Sequence, residues 1–166
     1  MKEVVVVSAV RTPIGNFGGS LRSVPAHDLA ALVLREVLTR ARLDPDSVDA
    51  VIMGQNYQSG EYVNIARMSL LKAGWPVDIP GFTTDRRCPS GFDAACLAAM
   101  MIQAGHIDSL VAGGVESMST AEFYLRGDIR WSIGGVGDMP KGHGSLSTWG
   151  ITMYDRALRG RAMSQP

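Results

Sequence analysis

Apolar residues along this chain fall into two patterns that alternate from the N-terminus to about residue 112. Short continuous apolar runs, as expected of strands covered on both faces, occur at Val4–Ala9, Val48–Met53, Gly81–Asp85 and Ser109–Ala112. Between them lie stretches at helical spacing. Pro25–Arg42 sets Leu29, Leu32, Val33 and Val37 against Glu36 and Arg40, with Asp28 in the first turn. Asn64–Ala73 reads as a second helix stopped by Gly74 and Pro76, and Gly91–Ala104 as a third. Arg11–Val24 is a Gly-punctuated loop. The order βαβαβαβ predicts an α/β fold with a mostly parallel sheet and right-handed crossovers.

The third helix differs from the other two. From Phe92 to Ile102 its only charged residue is Asp93, and the Ala, Leu, Met and Cys positions surround the axis. A helix that is apolar all round is buried all round. One sheet covers one face, so a second layer has to close the other, and these residues hold no obvious source for it. After Ser119 the chain becomes Gly-rich, with Gly127, Gly134, Gly135, Gly137, Gly142, Gly144, Gly150 and Gly160. This part reads as long loops with one short helix over Tyr154–Arg159.

Composition narrows the function. With 16 basic and 16 acidic residues the charges balance, and nucleic acid is not an expected partner. The N-terminal apolar run is stopped by Arg11-Thr12-Pro13, far short of the ~20 apolar residues of a membrane span, and it lacks a signal-peptide cleavage site. Two cysteines, Cys88 and Cys96, make no disulfide framework. Along one helix they stand roughly 12 Å apart at about 1.5 Å per residue, too far to bridge. A reducing cytoplasm fits.

Cys88 is the candidate nucleophile. It stands where the extended Gly81–Asp85 run meets the third helix, next to Pro89 and Ser90. Free N–H groups and the positive end of a helix dipole at such a junction favour a thiolate, and Arg86 and Arg87 bring positive charge. The competing reading of any cysteine is a buried core residue. That reading suits Cys96, inside the apolar helix.

The segment Asp85-Arg86-Arg87-Cys88-Pro89-Ser90-Gly91, followed by an Ala-rich helix ending at Gly105, resembles the nucleophile segment of the thiolases. Three more blocks fall in that family's order. They are Ser8-Ala9-Val10-Arg11-Thr12-Pro13-Ile14-Gly15 with Phe17-Gly18-Gly19, then Val51-Ile52-Met53-Gly54, then Ala112-Gly113-Gly114-Val115-Glu116-Ser117-Met118-Ser119. Leu125-Arg126-Gly127 is compatible with them. Where thiolases usually carry Asn and a small residue, this chain has Asp85 and Pro89.

The resemblance implies a thiolase-like αβαβα fold of two similar halves. Residues 1–119 would form the N-terminal half-domain and 120–166 the start of a loop region, with the C-terminal half outside this sequence. It also implies an acyltransferase that forms or cleaves a 3-oxoacyl-CoA through an acyl thioester on Cys88, whose own N–H helps hold the oxyanion. Coenzyme A and acyl-CoA would be substrates, with no permanently bound cofactor. A homodimer or tetramer is the expected assembly. In thiolases a His activates the nucleophile and a second Cys moves a proton, and both belong to the C-terminal half. Two other readings share this fold: a ketosynthase-type condensing enzyme, and a non-catalytic subunit that binds acyl-CoA or acts as a scaffold. A stand-alone Cys hydrolase would need its base among His27, His106 and His143.

The remaining polar residues read as structural. His27 starts a helix, His106 follows one, and His143 lies in the loop region, where it is a candidate for lining an acyl or CoA channel. No Cys/His cluster has metal-ligand spacing. Gly15-Asn16-Phe17-Gly18-Gly19 lacks the spacing of a phosphate loop. Glu116 reads as a buried carboxylate pairing a backbone turn, and Arg156, Arg159 and Arg161 as a solvated cluster.

Overall fold

A computed structural model describes residues 2–124 and 154–156. The chain divides into two compact units, Met1–Thr120 and Ala121–Pro166. In the first, helix α1 covers Ala26–Ala41, strand β1 Ala50–Gly54, helix α2 Ile65–Lys72, strand β2 Gly81–Thr84, helix α3 Ser90–Gln103 and strand β3 Leu110–Gly114. The three strands form one parallel sheet in the order β2-β1-β3, with Val51 opposite Gly81 and Val111. The alternation of apolar runs and helices therefore gives the α/β architecture that it predicts.

Strand alternation sorts the core into two clusters. On one side, Val51 and Met53 of β1 pack with Leu34 and Leu38 of α1 and with Ile65 and Leu70 of α2. On the other, Ile52 packs with Ala94 and Ala98 of α3. The result is three layers, with β1 buried along its whole length. Each large apolar side chain taken fully out of water contributes about 1.5–3 kcal/mol.

Local chemistry sets the helix ends. Pro25 is extended at the start of α1 and Arg42 adopts a left-handed conformation at its end. The Asn64 Oδ1 accepts the Arg67 N–H at 3.1 Å to cap α2, and Gly74 takes a φ of +82° after it. The buried face of α1 is His27, Ala30, Ala31, Leu34 and Leu38, whereas Leu32 is 53% exposed. The buried face is thus rotated from the predicted one, onto Ala30, Ala31, Leu34 and Leu38.

Two expectations are corrected, and a third is met on one side only. Val4–Ala9 forms no strand. Val5, Val6 and Val7 are 68%, 85% and 71% exposed, and the segment is tethered through Lys2 to Asp108 and through the Gly18 N–H to Ser119 Oγ. A strand exists by its ladder of hydrogen bonds, and no described strand pairs with this run. Helix α3 is covered by the sheet on one side, and the second layer expected over its other side is not among the described residues. It buries Ser90, Ala94 and Ala98 against the sheet, while Phe92 and Met100 are exposed among the described residues. In the second unit, Tyr154–Asp155 is not helical but a strand, β5, antiparallel to β4 at Phe123–Tyr124. Residues 157–159 of that predicted helix, His143, Arg161 and the glycines from 127 to 150 lie outside the described residues. No described helix is long and apolar enough to cross a membrane.

Candidate active site

All three parallel strands point their C-terminal ends at the start of α3, the end of an open α/β sheet where ligands bind. Glycines let the backbones meet there. A Cβ on Gly54 would stand 2.3 Å from the Ser90 carbonyl carbon, and one on Gly114 would stand 2.9 Å from the Gly91 Cα. Both fall below any real contact distance. The first turn of α3 is therefore pressed against the ends of β1 and β3.

The turn leading into the helix carries Cys88, and its hydrogen bonds are nearly all internal. Asp85 Oδ1 accepts the Arg87 N–H at 2.9 Å, a local side-chain turn. Buried Ser90 works in both directions: its Oγ accepts the Arg86 N–H at 2.8 Å and donates to the Arg87 carbonyl at 2.5 Å. The Ser90 N–H also reaches that carbonyl, at 3.0 Å. Arg87 takes a φ of +64°, a left-handed conformation that costs a non-glycine residue about 1–2 kcal/mol. Pro89 has no N–H to offer. From Arg86 to Ser90, the Cys88 N–H is thus the donor left without a partner among the described residues. The thiol is exposed.

Pro89 occupies the N-cap with a φ of −83°, and the helix starts at Ser90, one position before the predicted Gly91. Asp85 does with a carboxylate oxygen what an Asn side-chain oxygen would do, since only an acceptor is required.

The two arginines are engaged with other groups. Arg86 Nε lies 3.2 Å from Asp93 Oδ1, and the other Asp93 oxygen accepts the Thr84 hydroxyl at 2.9 Å. The only charge on α3 therefore fastens the helix to the end of β2. Arg87 Nη1 donates to Asn56 Oδ1 at 2.8 Å. Asn56 belongs to the loop after β1, and its N–H donates to Glu116 Oε2 at 2.8 Å, as the Tyr57 N–H does to both Glu116 oxygens at 3.2 and 3.3 Å. Glu116 does pair a backbone turn, as its position predicts, but it does so on an exposed surface.

The sequence reading missed Asn56. It is 31 positions from Arg87 in sequence, and the pairing depends on two strand ends meeting. Asp93 carried a signal, as a lone acid in an apolar helix. Cys96 is half-buried on α3. His27 is buried, with its ring 4.2 Å from that of Tyr62. Burial and then the charge of Lys72 lower its pKa from 6.5, opposed by Asp28. His106 follows the far end of α3 from Cys88, roughly 20 Å along a helix of this length. Among the described residues, the contacts of His27 are with Tyr62, Asp28 and Lys72, and neither histidine hydrogen-bonds to Cys88.

Comparison with known proteins agrees with this geometry. Residues 4–160 match the family described as Thiolase, N-terminal domain. The chain is 48% identical over 130 residues to an acetyl-CoA acetyltransferase of Escherichia coli, covering 78% of this chain and 33% of that protein. It is 51% identical over 127 residues to a 3-oxoadipyl-CoA/3-oxo-5,6-dehydrosuberyl-CoA thiolase of the same species, covering 75% and 32%. The crystal structure of the Bacillus anthracis acetyl-CoA acetyltransferase superposes with a TM-score of 0.77 at 42% identity, covering 85% of this chain and 34% of that one. The chain thus spans about a third of the length of the relatives it matches. The parallel α/β sheet, the family match over residues 4–160 and the superposition together make this chain a member of the thiolase family, corresponding to its N-terminal domain.

Proposed function

We propose that this chain supplies the nucleophile of an acyl-CoA acyltransferase that forms or cleaves 3-oxoacyl-CoA. The observation that carries the reading is the Cys88 turn: an exposed thiol whose own N–H is without a partner among the described residues, while those of Arg86, Arg87 and Ser90 are occupied. The Cys88 sulfur attacks the thioester carbonyl carbon. A new S–C bond forms, the S–C bond to coenzyme A breaks, and coenzyme A leaves as a thiolate that takes up a proton. Splitting the transfer at a covalent acyl-enzyme replaces one hard step with two easier ones. The free N–H is a fixed donor for the oxygen that becomes negative, and such donors contribute about 3 kcal/mol.

The base that activates the thiol and the second cysteine of the family's chemistry come, on this reading, from a C-terminal thiolase half outside these residues. Three observations support that division: the exposed apolar side chains of α3, the placement of His106 at the far end of that helix from Cys88, and the chain's coverage of a third of its relatives. Coenzyme A is then substrate, not resident cofactor. The working form is a homo-oligomer in the cytoplasm, with residues 1–119 as the half-domain and 120–166 opening the loop region.

The test is covalent. The protein assembled with its C-terminal half is incubated with acetyl-CoA, digested and mapped by mass. A base-labile acetyl group on the Cys88 peptide is the expected result. Micromolar binding of acyl-CoA with neither acylation nor coenzyme A exchange would establish a binding or scaffold subunit instead.

A further inference from the structure

Among the groups around the turn, one connection reaches from Arg87, the residue before Cys88, to the loop after β1. Arg87 immediately precedes the thiol and is held at a φ of +64°. Its guanidinium donates to Asn56 at 2.8 Å, and the loop that presents Asn56 is fastened by the Glu116 carboxylate on two successive N–H groups. These residues come from three separate segments, after β1, before α3 and after β3. The left-handed conformation costs about 1–2 kcal/mol and persists only where surrounding contacts hold it. Asp85 and Ser90 hold Arg87 from within its own turn, whereas Asn56 is the contact from outside it.

We propose that Arg87, Asn56 and Glu116 are positioning residues for the nucleophile. The Arg87 side chain, anchored on the Glu116-braced Asn56 loop, fixes the left-handed twist that aims the Cys88 sulfur and its free N–H at the thioester. This rests on Cys88 as the acylated residue. The linkage acts on the geometry of attack and not on the binding of coenzyme A, so its loss lowers kcat and leaves KM alone. A misplacement of about an ångström in such a site costs up to ~100-fold in rate.

The experiment uses the protein assembled with its C-terminal half, as Arg87→Ala, Asn56→Ala and the double variant. Acyl transfer from acetyl-CoA and the rate of Cys88 alkylation by iodoacetamide are measured on each, with thermal melting to verify folding. A single linkage is cut equally at either end. Each single variant therefore loses about tenfold in kcat with KM within about twofold, and the double variant is no worse than the singles. Alkylation at Cys88 changes in all three by the same factor. Unchanged kcat and alkylation in the singles, or losses that multiply to about a hundredfold in the double, overturn the proposal. Should the parent protein fail to acetylate Cys88, the acyltransferase reading falls, and the alkylation rates of the same four proteins still decide whether Arg87 and Asn56 position the thiol. If Asn56→Ala does not fold, Asn56→Asp keeps the acceptor oxygen, and its retention of parental kcat is required.

Discussion

Gly54 and Ser90 touch backbone to backbone: a Cβ on the glycine would stand 2.3 Å from the serine carbonyl carbon. The end of β1 and the first turn of α3 can approach this closely only without a side chain between them, and Cys88 is two residues from the contact. Gly54→Ala should therefore destabilise the fold by about 1–3 kcal/mol through overpacking and change the alkylation rate of Cys88. Chemical denaturation and iodoacetamide kinetics measure the two effects. A variant as stable and as reactive as the parent would show that this contact does not set the site.

Cys88, not Cys96, should be the reactive thiol. Cys88 is exposed on the turn and Cys96 half-buried on α3. Limited iodoacetamide followed by peptide mapping should place the label at Cys88, and Cys88→Ala should abolish acyl transfer while leaving the melting temperature nearly unchanged. Preferential labelling of Cys96 would end the assignment.

Asp93→Ala removes the acceptor for both the Thr84 hydroxyl and the Arg86 guanidinium. The carboxylate is mostly buried, with 18% of its side chain exposed, so the loss should cost about 1–3 kcal/mol. Asp93→Asn keeps one acceptor oxygen and should cost less. Equal stability for the two variants in urea would contradict this account.

Stability should fall as the pH drops below 6.5, through His27. Its folded-state pKa is lowered by burial and by Lys72, so on acidification the unfolded chain takes up the proton first. The contribution is intact above 6.5 and is lost as pH falls from there toward the lowered folded value. Asp49 acts at lower pH. The Ser109 and Asp108 N–H groups lower its pKa from 3.8, so its stabilisation is present above 3.8 and lost as pH falls through the lowered folded value. Urea melts of the parent and His27→Gln between pH 8 and 5 should converge as the pH falls.

Arg87→Gly separates backbone strain from the side-chain linkage. Glycine adopts a φ of +64° freely, which removes about 1–2 kcal/mol of strain, offset in part by roughly 0.5–1 kcal/mol of added chain entropy. The variant should match or slightly exceed the parent in stability while losing the Asn56 contact and, with it, kcat. A stable variant with full kcat would show that the twist alone is enough.

The 166 residues on their own should bind a hydrophobic dye. Val5, Val6, Val7, Phe92 and Met100 are large apolar side chains exposed among the described residues, and such exposure marks contact sites or aggregation hazards where it is contiguous. Dye fluorescence with the fragment alone, lost when the C-terminal half is added, is the expected result. A fragment that binds no dye and melts cooperatively would refute it.

By itself the sequence determined the helices, the three paired strands and the junction that carries Cys88. Apolar periodicity and turn residues are local, so the helices and the three paired strands came out within a few residues of their places, and the Cys88 segment was legible as a junction. Tertiary structure decided what depends on partners far along the chain. Val4–Ala9 has the composition of a buried strand, but a strand needs a neighbour's hydrogen bonds, and apolar pattern carries no information about who supplies them. Helix α3 reads as buried all round because composition registers every apolar side, while the described structure covers one. The bonds that shape the site, Arg87 to Asn56 and Asn56 to Glu116, join residues 31 and 60 positions apart. They exist because three parallel strands end side by side, a fact of topology that no local run of residues contains.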